Sequence, residues 1–203
     1  MKALPISLAA LALVFAVHAA PAQIWIGVEA GGSRTVGDDY DEWEWGVSAG
    51  ADIWAQGNRF IWLGGRAGFS RWPSPRESEF LSLVDSLITG EASGTGYVVE
   101  FVPMVRLNSG LEQSVFNLFI EGGPGLYILD NEVEVEGTIN GTDFSASFGE
   151  ENVARLGLSA GGGVSLTLLS RIMLEAFPLI HVVFGNDESF TYLTLNLGVS
   201  LGL

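Results

Sequence analysis

After Gln23 the chain alternates apolar and polar residues with a period of two, and clusters of Gly, Asn, Asp and Ser interrupt the alternation. Eight segments follow the pattern: 24–31, 43–54, 60–70, 97–107, 115–127, 155–167, 172–184 and 190–203. They approach the ~9–11 residues with which a tilted strand crosses a bilayer. In the second, Trp43, Trp45, Val47, Ala49, Ala51 and Ile53 share one parity, and Glu44, Gly46, Ser48, Gly50 and Asp52 the other. The sixth sets Leu156, Leu158, Ala160, Val164 and Leu166 against Arg155, Gly157, Ser159, Gly161, Gly163 and Ser165. The last sets Leu193, Leu195, Leu197, Val199, Leu201 and Leu203 against Thr194, Asn196, Gly198, Ser200 and Gly202. The fifth and seventh are less regular, with Phe119, Phe177 and Leu179 on the polar side.

Two architectures use such strands: a soluble barrel with its apolar face inward, as in lipocalins, and a membrane barrel with that face outward. Glycine placement favours the second. Eight strands enclose a narrow bore that needs small residues among its large ones, and here the glycines share a parity with the charges. Connection lengths agree, because membrane barrels alternate short periplasmic turns with longer external loops. The even connections are short (55–59, 108–114, 168–171), and the odd ones mostly long (32–42, 71–96, 129–154), with 185–189 the exception. The expected fold is all-β: an eight-stranded antiparallel up-and-down transmembrane β-barrel over 23–203, its C-terminus on the periplasmic side. Residues 1–22 read as a signal peptide, with Lys2, an apolar run from Ile6 to Val17, and Ala20-Pro21-Ala22. That run is too short for a spanning helix, which needs ~20 residues.

Three local features add detail. Ser74-Pro75-Arg76-Glu77 has the cap and first turn of a helix, and Phe80, Leu83, Val84, Leu87 and Ile88 form a helical stripe that stops at Gly90. This predicts one short amphipathic helix in the second external loop. Glu132 to Glu136 alternates with Val133 and Val135 ahead of Asn140-Gly141, a two-residue turn signal, so strands five and six are expected to run on as a hairpin. Trp43, Trp45, Trp72, Tyr97, Tyr127, Phe184 and Tyr192 near the outer strand ends, and Trp25, Trp54, Phe60 and Phe116 near the inner ends, read as two aromatic girdles.

These residues together resemble the OmpA-like and opacity-porin class of small outer-membrane β-barrels, over nearly all of 23–203. Asn196-Leu197-Gly198-Val199-Ser200-Leu201-Gly202-Leu203 looks like the C-terminal assembly signal of that class, carried by Asn196, Gly198, Leu201 and Leu203, although a terminal aromatic is more usual than Leu203. Phe116 to Leu126 and Leu156 to Leu166 look like its glycine-rich fifth and sixth strands. The resemblance implies export to the cell outer membrane, outer-membrane lipid and lipopolysaccharide as surroundings, the barrel-assembly machinery during insertion, and a monomer.

Composition narrows the chemistry. The 203 residues carry 24 acids against nine bases, a net charge of -15, which excludes a nucleic-acid partner. Cysteine is absent, Lys2 is the sole lysine, and His181 is the only histidine beyond the signal. Thiolate, Schiff-base and multi-histidine metal chemistry therefore have no residues to use, and no cofactor is expected. Three Gly-x-Ser-x-Gly runs begin at Gly46, Gly157 and Gly198, but each lies within a strand rather than at a nucleophile elbow. Lipid-A deacylase barrels carry His-x-Ser where this chain has His181-Val182-Val183. No catalytic residue or metal site is expected.

The candidate site is an interior charge network of Arg66, Glu100, Glu121, Arg106, Glu175 and Glu29. These residues share the inward parity with Glu44, Asp52 and Arg155. Unpaired charges inside a narrow barrel are costly, so the network is expected to centre on Arg66 with Glu100 and Glu121 as its partners. The external connections are strongly acidic, as in Asp38, Asp39, Asp41, Glu42, Glu77, Glu79, Asp187 and Glu188. The function so read is structural or surface contact through acidic loops. A narrow porin and a lipid-modifying outer-membrane enzyme using His181 are the alternatives.

Overall fold

The computed structural model of the chain describes residues 23–36, 45–73, 88–109, 115–139, 142–168, 170–185 and 189–203, and the backbone alone over 88–94, 131–139 and 142–151. The expected signal peptide at 1–22, Trp43, Glu44 and residues 74–87 of the expected helix lie outside these residues.

Eight strands form: β1 (Ile24–Val36), β2 (Gly46–Gln56), β3 (Ile61–Pro73), β4 (Ile88–Asn108), β5 (Phe116–Ile139), β6 (Thr142–Leu168), β7 (Ile172–Phe184) and β8 (Ser189–Gly202). Each pairs antiparallel with the next, and β8 pairs with β1, so the sheet closes as an up-and-down barrel. Closure satisfies the N–H and C=O groups that an open edge would expose, which is what allows strands to span hydrocarbon. At the end where Gln23 and Leu203 lie, the described turns are tight. Asn58 Oδ1 accepts hydrogen bonds from the Phe60 and Ile61 amides at 2.8 and 2.9 Å, and so organises the β2–β3 turn. Ser170, with φ of 55°, turns the chain between β6 and β7.

The two parities of each strand separate as alternation requires. Ile26, Val28, Val47, Ile53, Leu158, Leu197 and Leu201 are exposed on the outer wall, Leu197 at 70% and Val47 at 62%. Glu29, Asp52, Arg66, Glu100, Arg106, Glu121 and Glu175 are buried in the bore. An outer wall of exposed aliphatics around a polar interior inverts a water-soluble protein, and lipid is the solvent that fits it. Phe119, Phe177 and Leu179, irregular in the sequence pattern, also pack in the bore. Glycines of β6 make their room: a Cβ on Gly163 would lie 2.5 Å from Phe177 Cβ, and one on Gly161 2.7 Å from Leu179 Cδ2.

Several aromatics assigned to girdles belong inside. Trp25, Trp54, Trp72, Tyr127 and Tyr192 are buried in the core, whereas Trp45, Phe60, Phe116 and Phe184 stay on the outer surface. The reason is parity. Each buried ring alternates in phase with a bore-facing polar residue of its own strand, such as Trp54 with Asp52 and Tyr192 with Thr194.

At the opposite, loop end, β4, β5 and β6 continue past their neighbours. The last β3–β4 pair is Pro73 with Thr95 and the last β6–β7 pair Gly157 with Val183, while β4 and β5 remain in register out to Ile88 with Ile139. The expected β5–β6 hairpin is present, reaching Ile139 opposite Thr142. The long β4 differs from the sequence expectation: Ile88, Thr89 and Gly90, read as the end of a helix, pair with Ile139, Thr138 and Gly137. A ladder offered by the β5–β6 hairpin outweighs the weak helical preference of three residues. The register shifts between Leu129 and Asn131, where Asn152 of β6 takes a φ of 51°, the geometry of a bulge that increases twist as the sheet leaves the barrel.

A charge on the lipid wall is expected to destabilise the barrel. Leu197→Arg should cost about 2–4 kcal/mol near the midplane, read as a lower urea midpoint for the protein folded in phosphatidylcholine vesicles, and an unchanged midpoint would contradict the lipid-facing assignment.

Candidate functional site

The bore is filled by two charged clusters stacked along the barrel axis. Nearer the turn end, Arg106 of β4 lies 2.7 Å from Glu121 Oε2 through its Nε, and its Nη1 donates to Glu175 of β7. Ser200 Oγ donates to the second oxygen of Glu175 at 3.2 Å. The guanidinium also lies over the rings of Trp54 and Phe119, with Cζ 4.2 and 4.0 Å from their centroids. Such cation–π contact favours arginine, a weakly hydrated planar cation, over lysine at this position. Trp25 and Trp62 stack at 6.0 Å in the same buried core.

Nearer the loop end, Arg66 of β3 pairs through Nε with Glu29 of β1 at 2.7 Å and Glu100 of β4 at 3.1 Å. Two glycines admit these acids. A Cβ on Gly50 would meet Glu29 Oε1 at 2.6 Å, and one on Gly68 would meet Glu100 Oε1 at 2.5 Å. Glu100 also accepts a hydrogen bond from the Tyr192 hydroxyl and lies 3.1 Å from His181 Nδ1. His181 stacks on Tyr192 with centroids 4.3 Å apart, and its Nε2 is 3.4 Å from Thr194 Oγ1. Asn196 then donates to Thr194 at 2.8 Å and accepts from Ser48 at 3.0 Å. A polar thread thus crosses the bore from β3 through β4, β7 and β8 to β2.

The arrangement holds all six residues named from the sequence but divides them differently. Glu121 pairs with Arg106 and not with Arg66, because the β4–β5 register sets Arg106 directly opposite Glu121. Arg66 takes Glu29 as its second acid instead. Arg155 is half-buried on the inward parity of β6. His181, Tyr127 and Tyr192 join the network without having been expected there, although the parity of all three marks them as interior. Of the C-terminal signal residues, Asn196 is held in the polar thread, Gly198 stands opposite Glu29 of β1 and Glu175 of β7, and Leu201 and Leu203 face outward.

Chemically the bore can hold and share charge. The acid, imidazole and hydroxyl of Glu100, His181 and Thr194 lie in a row, yet His181 and Thr194 have no exposed surface for a substrate to reach. The 3.4 Å gap between them also exceeds the ~2.6–3.2 Å across which a general base takes a proton. The three Gly-x-Ser-x-Gly serines, Ser48, Ser159 and Ser200, are buried within strands, away from any elbow. Among the described residues no three carboxylates or imidazoles converge as metal ligands.

Solved structures carry the same closed sheet. A major outer membrane protein from Thermus thermophilus superposes with a TM-score of 0.51 at 15% identity, over 89% of this chain and 99% of that one. Neisserial surface protein A (NspA) does so at 0.50 and 13%, over 88% and 96%. The fold is that of the small eight-stranded outer-membrane barrels. No family model and no curated protein matches the chain.

Removing one cation is expected to strand two buried acids. Arg106→Met should destabilise the barrel by about 3–5 kcal/mol, the cost of breaking a buried pair from one side, and Arg106→Lys by less. Urea unfolding in vesicles measures both, and equal midpoints for wild type and Arg106→Met would remove the pair from the account.

Proposed function

We propose that the protein is a plugged, non-catalytic barrel of the cell outer membrane that serves envelope structure or surface contact through its acidic external loops. The observation that carries this reading is the filled bore. Arg66, Arg106 and their four carboxylates occupy it together with Trp54, Phe119, Leu179 and Tyr192, each buried, so among the described residues side chains fill the bore behind the apolar outer wall. Side chains fill the interior of eight-stranded barrels as a matter of size, which leaves the loops as the part free to vary with function.

Outer-membrane lipid and lipopolysaccharide surround the exposed aliphatics in this reading, and the acids outside the membrane keep the loops solvated and mutually repelling. The barrel-assembly machinery meets the terminal strand, whose Leu201 and Leu203 face outward while Asn196 and Gly198 face the bore. A monomer suffices, because closure leaves no strand edge within the spanning part for a second copy to complete.

Two measurements test the proposal. Membrane-extracted protein should run faster on a gel unboiled than boiled, as a closed barrel does. In planar bilayers at high salt it should give no stepwise conductance, and regular steps would replace the plug with a narrow pore.

A further inference from the structure

The bore carries more negative than positive charge, and the ion pairs locate the excess. Among the described residues five carboxyls, Glu29, Asp52, Glu100, Glu121 and Glu175, are buried there with two guanidiniums, Arg66 and Arg106. Arg66 is shared by Glu29 and Glu100, and Arg106 by Glu121 and Glu175. Asp52 remains. It stands on β2 opposite Arg66, between the two clusters, and its Oδ1 is buried without a hydrogen-bond partner. Trp54, two residues along the same strand, is near enough to act on the carboxylate, yet its buried indole Nε1 closes no hydrogen bond. The carboxylate lies over Gly27 beside Ser200: a Cβ on Gly27 would meet both Asp52 oxygens at 2.7 Å and Ser200 Oγ at 2.5 Å.

We propose that Asp52 is the site at which the bore takes up a small neutralising cation, either a proton or a bare alkali ion. An isolated carboxylate in a medium that excludes water costs several kcal/mol, and a single bound positive charge removes most of that cost. Both guanidiniums are shared by two acids each, and Arg66 Nη1, although buried without a partner, makes no hydrogen bond to Asp52 Oδ1. The charged groups that act on it are Glu29 from β1, Arg66 from β3, Arg106 from β4, Glu121 from β5 and Glu175 from β7, and Glu100, Tyr127, His181 and Tyr192 are buried in the same bore. Acids outnumber guanidiniums among them, which leaves the site favourable to one further positive charge.

The experiment follows urea unfolding of the protein in phosphatidylcholine vesicles, across mildly acidic to mildly alkaline pH, in sodium, potassium and choline chloride at equal ionic strength. If the cation is a proton, the folding constant rises about tenfold for each unit by which pH falls, in every salt. If it is an alkali ion, folding is favoured by sodium or potassium over choline at fixed pH. Asp52→Asn should fold and lower the wild type's pH slope by about tenfold per unit, or remove its preference for sodium or potassium. A wild type indifferent to both variables overturns the proposal, as does an Asp52→Asn barrel that keeps the full dependence. Should that variant not insert, infrared spectra of the wild type decide. A protonated-carboxyl band or a carboxylate band shifted by sodium against choline supports cation uptake, and the absence of both overturns it.

Discussion

A guanidinium withdrawn from water carries a penalty of several kcal/mol unless carboxylates meet it with good geometry. In this barrel Arg106 is hydrogen-bonded to two, and Arg66 lies within ion-pair distance of two. The arrangement works only if the strands hold their register, because the acids come from β1, β4, β5 and β7, and a slip of one residue would send a charge to the lipid wall. Interior pairing and exterior hydrophobicity are thus one constraint seen from two sides. The outer wall tolerates interchange among aliphatics, whereas the bore tolerates little, since its large side chains face glycines and small polar residues shaped around them.

The two clusters differ in what surrounds the cation. Arg106 is flanked by Trp54 and Phe119, so its charge is buffered by ring faces as well as by Glu121 and Glu175. Around Arg66 the acids dominate. Its partner Glu100 is drawn into contact with Tyr192 and His181, extending the polar system toward the loop end. The lower cluster is in this sense a closed aromatic and ionic plug, and the upper one the root of a hydrogen-bonded thread. Asp52 stands between them.

Strand count, closure, antiparallel order and the sorting of residues into bore and wall were legible in the sequence, because a period of two leaves no freedom once one face is known. Val47, Leu158 and Leu197 outside and Arg66 and Glu121 inside follow from that rule alone. What could not be read was the stagger between neighbouring strands. Parity says that Glu121 and Glu29 both face inward, but only the register decides which guanidinium each one meets. The aromatics depart from the girdles for a different reason: a tryptophan or tyrosine near a strand end suits an interfacial girdle by composition, but alternation in phase with Asp52 or Thr194 is the stronger signal. The long β4 was hidden because its outer half has no partner until the β5–β6 hairpin offers one.

The glycines opposite Glu29 and Glu100 tie distant parts of the chain into single heritable units. Gly50 on β2 has space only because Glu29 of β1 fills it, and Gly68 on β3 stands in the same relation to Glu100 of β4. Enlarging either glycine evicts an acid, and shortening either acid opens a hole. A larger residue at either position therefore obliges its acid to move, a condition the greasy exterior does not impose on its aliphatics.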